Sequence, residues 1–158
     1  MTHPILCAVD FSDASDAACE AACELGRRFD APVVLAHVIE RLPLEPLSGP
    51  DFGAFAAGLA ERAAALEGAM RDALLVRLGA KATELSTRGV PVESRLLDGG
   101  RPWDALVDCA LRERAQLIVM GTHGRRGPAR WLLGSVAERT VRGASCPVLV
   151  VPGPQPGI

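Results

Sequence analysis

Five short apolar runs alternate along the chain with stretches in which apolar residues recur every three or four positions. The runs are rich in valine and isoleucine and comprise Ile5–Val9, Val33–Ile39, Val90–Leu97, Leu117–Met120 and Val148–Val151. Continuous apolar runs are typical of strands buried on both faces, which occur in parallel sheets covered by helices. This alternation therefore predicts an α/β fold.

The four stretches between these runs carry helix signals. Ser12 or Asp13 can cap the first helix, whose expected inward face consists of Ala14, Ala17, Ala18, Ala21, Ala22 and Leu25. The second and longest helix contains three glycines, which each cost about 1 kcal/mol relative to alanine and predict a bend or a break. A third helix opens at Gly100-Arg101-Pro102, and a fourth begins near Gly134-Ser135.

The order of these elements predicts the topology. Crossover connections between parallel strands are right-handed, so the order β-α-β-α-β-α-β-α-β predicts one doubly wound, Rossmann-like α/β domain. Its five-stranded parallel sheet is expected in the order 3-2-1-4-5, with helices on both faces. We expect this domain to span residues 1–152, followed by a flexible tail at 153–158, and a proline-rich loop at Glu40–Asp51.

Composition excludes several classes of protein. A net charge of −2 argues against a nucleic-acid binder, which carries a strongly basic surface. No apolar run approaches the roughly 20 residues of a membrane span, and the first residues lack the pattern of a signal peptide. The five cysteines form no CxxC motif and are expected to be small buried hydrophobes in a reducing compartment. These features predict a soluble, cytoplasmic protein.

A glycine pattern, Gly-x2-Gly-x9-Gly-Ser, lies between the fourth strand and the last helix. It consists of Gly121, Gly124, Gly134 and Ser135. The first two glycines lack the Cβ atoms that would keep a phosphate from backbone N–H groups. Gly134 and Ser135 are expected to offer unpaired amides, a hydroxyl and the positive end of a helix dipole. Positive charge is added by Arg125, Arg126 and Arg130, so the pattern indicates an anion site.

The chain resembles the universal stress protein family, specifically its nucleotide-binding branch. The similarity covers nearly the whole chain and is carried by the glycine pattern together with Ile5–Ser12, Ala36–Val38, Met120–Gly124, Gly134–Arg139 and Cys146–Val151. The resemblance implies an ATP site at the topological switch point, where strands one and four are neighbours.

The resemblance also implies which residues contact the adenosine part of ATP. They are Ala8, Val9 and Asp10, with Val38 beside the adenine and Met120, Gly121 and His123 on the floor near the ribose. Asp10 has a second interpretation, because an aspartate that ends a strand often caps the next helix. For His37 and His123 we expect a packing or hydrogen-bonding role, because no second ligand stands at metal-site spacing.

The phosphates of ATP, with Mg²⁺ or Mn²⁺ as an optional companion, are implied to lie against the last helix. The implied residues are Gly124, Gly134, Ser135, Val136 and Ala137. Some family members have a hydroxyl residue where this chain has Ala137, so only the backbone amide of Ala137 can contribute.

Three functions fit these features. The first is an ATP-binding stress-response module with an unknown signalling partner, and the second is a slow ATPase or an autophosphorylating enzyme. The third is a nucleotide-free, dimeric chaperone-like protein. Rapid phosphoryl transfer is not expected, because the chain has no Gly-Lys-Ser/Thr sequence and Lys81 is its only lysine.

The last strand predicts a homodimer. Val148–Val151 is apolar throughout and is expected at an edge of the sheet, where its outer backbone groups have no partner within the chain. Two identical edges pair antiparallel about a two-fold axis, which closes at a dimer.

Overall fold

The computed structural model describes residues 2–40, 53–122 and 133–154. They form five strands and four helices in strict alternation. The elements are β1 (Ile5–Ala8), α1 (Asp13–Phe29), β2 (Val33–Glu40), α2 (Gly53–Ser86), β3 (Val92–Gly99), α3 (Pro102–Glu113), β4 (Leu117–Gly121), α4 (Ser135–Gly143) and β5 (Val148–Val151). Nearly all of the predicted proline-rich loop and most of the predicted tail lie outside the described residues.

The sheet confirms the predicted architecture. All neighbouring strands are parallel, and their order is β3-β2-β1-β4-β5. One apolar cluster lies between the sheet and α1 with the end of α2, and includes Ile5, Leu35 and Leu78. A second lies on the α3 and α4 face and includes Leu6 and Ile118. β1 and β4 are neighbours at the centre, so the switch point lies between them.

Helix α1 begins as predicted but is rotated from its predicted face. The Ser12 hydroxyl accepts a hydrogen bond from the Ser15 N–H at 3.2 Å, which makes Ser12 the N-cap. Ala14, Ala18 and Ala22 are buried as expected, whereas Ala17, Ala21 and Leu25 are only partly buried. Their places in the core are taken by Ser15, Cys19, Cys23 and Gly26. A Cβ at Gly26 would lie 2.8 Å from Val90 Cγ2, so α1 sits close to the chain that enters β3.

Helix α2 runs without interruption from Gly53 to Ser86, so the predicted break is wrong. A Cβ added at Gly58, Gly68 or Gly79 would meet no neighbouring atom within 4 Å, and these glycines therefore mark no close packing. The propensity cost of three glycines is spread over 34 residues, and tertiary contacts of Leu78, Ala82 and Leu85 anchor the end of the helix. No helix in the described ranges is long and apolar enough to cross a membrane.

The cysteines behave as buried hydrophobic residues, as predicted. Four of the five are buried, and Cys146 is half-buried. Burial raises the pKa of the Cys109 and Cys146 thiols. The pKa of Cys7 is raised by its hydrogen bond to Cys19, at an Sγ–Sγ distance of 3.7 Å, and by burial. A raised thiol pKa lowers the thiolate fraction and hence the reactivity.

Candidate functional site

The candidate site lies at the carboxyl edge of the sheet, at the switch point where β1 and β4 end, and is here called the crevice. Its first side, here called the β1–β2 wall, consists of Ala8, Asp10 and Val38. Its second side, called the α4 wall, consists of Gly134–Ala137. In open α/β sheets, ligands bind at this edge and at this switch point.

Strand β2 extends beyond β1 on the first side of the crevice. The last register pair is Ala8 with Ala36, and the Val9 N–H then donates to the Ala36 carbonyl at 2.8 Å. Because backbone groups of a strand alternate in direction, Val38 points its N–H and C=O toward the same side as Ala36. These groups therefore face the crevice.

His37 replaces the next bond of this ladder. A regular parallel ladder would continue with the Val38 N–H donating to the Val9 carbonyl. In the structure the Val9 carbonyl accepts from His37 Nδ1 at 2.6 Å, which requires the Nδ1–H tautomer. The expected hydrogen-bonding role of buried His37 is confirmed. Because His37 occupies the Val9 carbonyl, the N–H and C=O of Val38, here called the Val38 edge, remain directed at the crevice.

Asp10 is braced by the cap of the following helix. Its Oδ1 accepts from the Ser12 N–H at 3.0 Å and from the Ser12 hydroxyl at 2.5 Å. Ser12, rather than Asp10, caps α1. The alternative interpretation of Asp10 as the cap is therefore wrong, since its carboxylate instead orients the residue that caps.

Phe11 gives this loop an unusual backbone. Its φ of 62° lies in the left-handed region, which a bulky residue seldom adopts. The ring lies with its centroid 5.0 Å from that of His37, and the guanidinium carbon of Arg77 lies 4.0 Å above the ring. These contacts hold the turn that carries Asp10. Sequence reasoning missed Phe11 and Arg77, because no local pattern marks a phenylalanine with positive φ.

The α4 wall is attached to the end of β4 by backbone hydrogen bonds. The Gly134 N–H donates to the Thr122 carbonyl at 2.8 Å, and the Thr122 N–H donates to the Val151 carbonyl at 2.9 Å. The expectation that Gly134 offers an unpaired amide is therefore wrong, because that amide fastens α4 to the strand. Ser135 opens the helix as predicted.

The first turn of α4 is left without a side-chain cap. The N-cap is Gly134, which has no side chain to accept from the amides that follow. The N–H groups of Ser135, Val136 and Ala137 are the first-turn donors, since the Glu138 N–H already bonds to the Gly134 carbonyl. Such amides, together with the helix dipole, form a site that favours anions.

Gly121 has a different role from the one predicted. A Cβ on Gly121 would lie 2.8 Å from Ala14 Cβ and 2.9 Å from the Ala14 carbonyl carbon. The absent side chain therefore makes room for α1 and not for a phosphate. The interpretation of Gly121 as an anion-admitting glycine is wrong, although its backbone remains at the end of β4.

Five of the ten predicted site residues that the structure describes have side chains on one face of the sheet. Ala8, Val38, Met120, Val136 and Ala137 all pack in or against the cluster under α3 and α4. The side chain of Val9 packs in the opposite cluster, and its N–H and C=O are both hydrogen-bonded. His123, Gly124, Arg125, Arg126 and Arg130 lie outside the described residues.

The chain's only lysine forms an ion pair with a carboxylate of α1. Lys81 Nζ lies 2.6 Å from Asp16 Oδ1, in an ion pair whose lysine is mostly buried and whose aspartate is half exposed. Burial alone would lower the pKa of Lys81, but the hydrogen bond to Asp16 and neighbouring acidic charges raise it overall. Within residues 2–40, 53–122 and 133–154, no group of three or more metal-ligating side chains is assembled.

A family model for the universal stress protein family matches residues 1–152. The chain belongs to this family. Universal stress protein MJ0531 of Methanocaldococcus jannaschii is 36% identical over 151 residues, which cover 96% of this chain and 82% of that protein. The comparison confirms the family predicted from the sequence.

Solved structures share the fold. The protein MJ0577 of Methanocaldococcus jannaschii aligns with a TM-score of 0.78 and 25% identity, over 99% of each chain. A universal stress protein from Archaeoglobus fulgidus in complex with dAMP aligns with a TM-score of 0.59 and 26% identity, over 94% of this chain and 97% of that one. A universal stress protein in complex with cAMP aligns at 0.64 and 26%, over 94% and 96%.

Proposed function

We propose that this universal stress protein binds ATP in the crevice between the β1–β2 wall and the α4 wall, and works as an ATP-dependent module in the stress response. The observation that carries the proposal is the pairing of two complementary features at the switch point. One is the outward-facing backbone of Val38 together with the Asp10 carboxylate that follows β1, and the other is the uncapped first turn of α4. Relatives of the same fold are described in complex with dAMP and cAMP.

The Val38 edge suits adenine. One residue here offers both a donor, its N–H, and an acceptor, its C=O, to a flat base. Adenine presents ring-nitrogen acceptors next to its N6 amino donor, whereas guanine carries the acceptor O6 at the corresponding place. The apolar side chains of Ala8, Val38 and Val136 supply the sides of the pocket. A preference for adenine over guanine nucleotides follows.

Asp10 suits the sugar. Its carboxylate is positioned by two hydrogen bonds from Ser12, and ribose hydroxyls are donors that a carboxylate can accept. Acidic residues fulfil this role toward ribose in other doubly wound nucleotide-binding folds. The phosphates would then extend from the ribose toward Ser135, Val136 and Ala137, whose amides begin α4.

A divalent ion would accompany the nucleotide. Mg²⁺ is commonly held by substrate phosphates with only one or two protein ligands. The described residues assemble no set of three or more metal-ligating side chains. We therefore propose that Mg²⁺ or Mn²⁺ binds through the phosphates of ATP, with the Ser135 hydroxyl as the available side-chain oxygen on the α4 wall.

Isothermal titration calorimetry tests the proposed function. Protein stripped of nucleotide by refolding is titrated with ATP, GTP, AMP and adenosine. We expect ATP to bind at least tenfold more tightly than GTP, and the affinity to fall from ATP to AMP to adenosine as phosphates are lost. No binding of any adenine nucleotide overturns the proposal and favours a nucleotide-free chaperone-like role, while equal affinity for ATP and GTP contradicts recognition by Val38.

The homodimer through β5 is proposed on separate grounds. β5 is an edge strand of the sheet, and its Leu149 is exposed. The carbonyls of Pro147 and Val151 accept from the β4 side, so the alternate residues Val148 and Val150 direct their backbone groups outward. Light scattering on the wild type and on Leu149→Lys/Val151→Lys tests this interface, since the charged pair should block strand pairing.

A further inference from the structure

Helix α2 contributes one residue to the turn that carries Asp10. Arg77 lies in the second half of α2, and its guanidinium carbon is 4.0 Å from the centre of the Phe11 ring. Guanidinium groups bind the faces of aromatic rings in this way through a cation–π interaction. The turn beside the β1–β2 wall is therefore in contact with a helix that contributes no residue to either wall.

Arg77 differs from the cations that precede and follow it on α2. Arg71 Nη1 donates to both oxygens of the Asp98 carboxylate, at 2.7 and 2.8 Å, and Lys81 is paired with a carboxylate of α1 at 2.6 Å. In the described part of the chain no ion pair includes Arg77, whose contact is the Phe11 ring. Arg77 therefore acts on the domain through this ring and not through an acidic partner.

Phe11 has a backbone conformation that its surroundings must hold. Its φ of 62° lies in the left-handed region, which a bulky side chain seldom adopts and which persists only when neighbouring contacts fix it. The ring packs against the apolar cluster under α1, lies 5.0 Å from the His37 ring between centroids, and is covered by Arg77. Removal of the Arg77 contact would therefore allow the turn to relax.

The Phe11 ring is connected to both recognition groups of the β1–β2 wall. Phe11 stands between Asp10 and Ser12, whose hydrogen bonds of 3.0 and 2.5 Å position the carboxylate. A change in the φ of Phe11 would rotate these two residues relative to each other. His37, the other ring in contact, donates to a backbone carbonyl of the β1 segment and immediately precedes Val38. One ring thus supports the proposed sugar-binding carboxylate and the proposed base-binding edge.

We propose that Arg77 is a positioning residue for the nucleoside: through the Phe11 ring it sets the affinity of the β1–β2 wall for adenosine and couples helix α2 to that affinity. This inference rests on the proposed function, because it requires the nucleoside to bind at this wall. It assigns Arg77 no contact with the ligand. The effect of Arg77 should therefore be the same for every adenosine ligand and should depend on Phe11.

Titration calorimetry of Arg77→Met measures this effect. Methionine retains an aliphatic stem but carries no charge, and Arg77 is exposed, so the lost cation–π contact corresponds to an affinity about 2- to 5-fold lower. The same factor should be lost for adenosine, AMP and ATP. Arg77→Lys, which keeps a cation near the ring, should bind adenosine more tightly than Arg77→Met. A loss that grows with the number of phosphates would overturn the positioning role and make Arg77 a phosphate contact.

A double-mutant cycle with Phe11 tests the route of the effect. Phe11→Leu retains an apolar side chain toward the core but has no aromatic face. In that background Arg77→Met should cause no further loss of adenosine affinity, because the contact that it removes is already absent. Circular dichroism checks that each variant is folded. A second loss as large as the one in the wild-type background would overturn the route through the ring.

Arg71→Met is the matched control on the same helix. It breaks the ion pair with Asp98 but leaves Arg77 on Phe11, so adenosine affinity should not change. A loss equal to that of Arg77→Met would assign both effects to a loosened α2 and overturn the specific role of Arg77. Titration of the wild type separates this inference from the proposed function: absence of any adenine-nucleotide binding overturns both, whereas normal binding that Arg77→Met leaves unchanged overturns only the role of Arg77.

Discussion

The two walls of the crevice are built in different ways. The β1–β2 wall depends on side chains that come from three parts of the chain: Ser12 braces Asp10, His37 occupies the Val9 carbonyl, and Arg77 covers Phe11. The α4 wall depends on backbone alone, because Gly134 has no side chain and its amide is used to attach the helix to Thr122.

This difference separates two kinds of recognition. A wall of positioned side chains and a strand edge can distinguish one base and sugar from another. A helix N-terminus attracts any anion of suitable size, because its amides and dipole interact with the negative charge in the same way whichever base the ligand carries. We therefore expect substitutions in the β1–β2 wall to lower the affinity for adenosine, AMP and ATP by the same factor. Substitutions in the α4 wall should lower the affinity more for ligands that carry more phosphates.

The largest expected effect is that of Gly134→Asp. Gly134 has φ −61° and ψ 151°, a conformation that an N-cap aspartate adopts readily. Its carboxylate would accept from the first-turn amides and would repel phosphates, so ATP affinity should fall by at least 100-fold. Stability should not fall, because aspartate is a better cap than glycine by a few tenths of a kcal/mol.

Calorimetry with ATP and adenosine, together with thermal unfolding, checks this prediction. Adenosine binding should change little, since adenosine lacks the phosphates that reach the first-turn amides of α4. Gly134→Asn is the matched control, because its side-chain oxygen can accept from the same amides without a negative charge. The two variants together separate competition for the first-turn N–H groups from charge repulsion of the phosphates. Unchanged ATP affinity in a folded Gly134→Asp protein would exclude the α4 wall as the phosphate site.

The next effect is that of Asp10→Asn on the β1–β2 wall. Asparagine retains the shape and the oxygen that accepts from Ser12, but it replaces a charged acceptor. Hydrogen bonds to charged groups contribute about 1.5–3 kcal/mol, so affinity should fall roughly 10- to 100-fold. Titration calorimetry should show the same factor lost for ATP, AMP and adenosine, and a loss confined to ATP would move Asp10 away from the sugar.

Gly121→Ala tests the close packing of the end of β4 against Ala14 of α1. The new Cβ would lie 2.8 Å from Ala14 Cβ, and overpacking of this kind costs about 1–3 kcal/mol. The free energy of unfolding, measured by urea titration, should fall by that amount. Gly121→Ala combined with Ala14→Gly should recover only part of the loss, because the backbone carbonyl carbon of residue 14 would still lie 2.9 Å from the new Cβ. An unchanged free energy of unfolding for Gly121→Ala itself would show that the close contact with α1 does not constrain this position.

The sequence predicted the framework well, because the framework depends on local pattern. Apolar runs marked all five strands, and Ser12, Pro102 and Ser135 marked three helix starts. Four details depend on contacts between residues far apart in the chain and could not be predicted in this way. They are the positive φ of Phe11, the contact of Gly121 with Ala14, the use of the Gly134 amide, and the rotation of α1.

The smallest expected effect is that of Ser135→Ala, which sharpens the comparison within the α4 wall. Ser135 is the first residue of α4, and it is exposed. Alanine removes its hydroxyl but leaves every first-turn amide, so the loss should be that of a single hydrogen bond, about 0.5–1.5 kcal/mol. ATP affinity should therefore fall only about 2- to 12-fold, far less than for Gly134→Asp.

Titrations of ATP and AMP with and without Mg²⁺ locate this hydroxyl along the phosphate chain. AMP has a single phosphate, so it should lose less affinity than ATP when Ser135 becomes alanine. Equal losses for the two nucleotides would place the hydroxyl away from the terminal phosphates. A loss that appears only with Mg²⁺ would assign the hydroxyl to the ion that accompanies them, because the backbone amides of α4 bind the phosphates whether or not the metal is present.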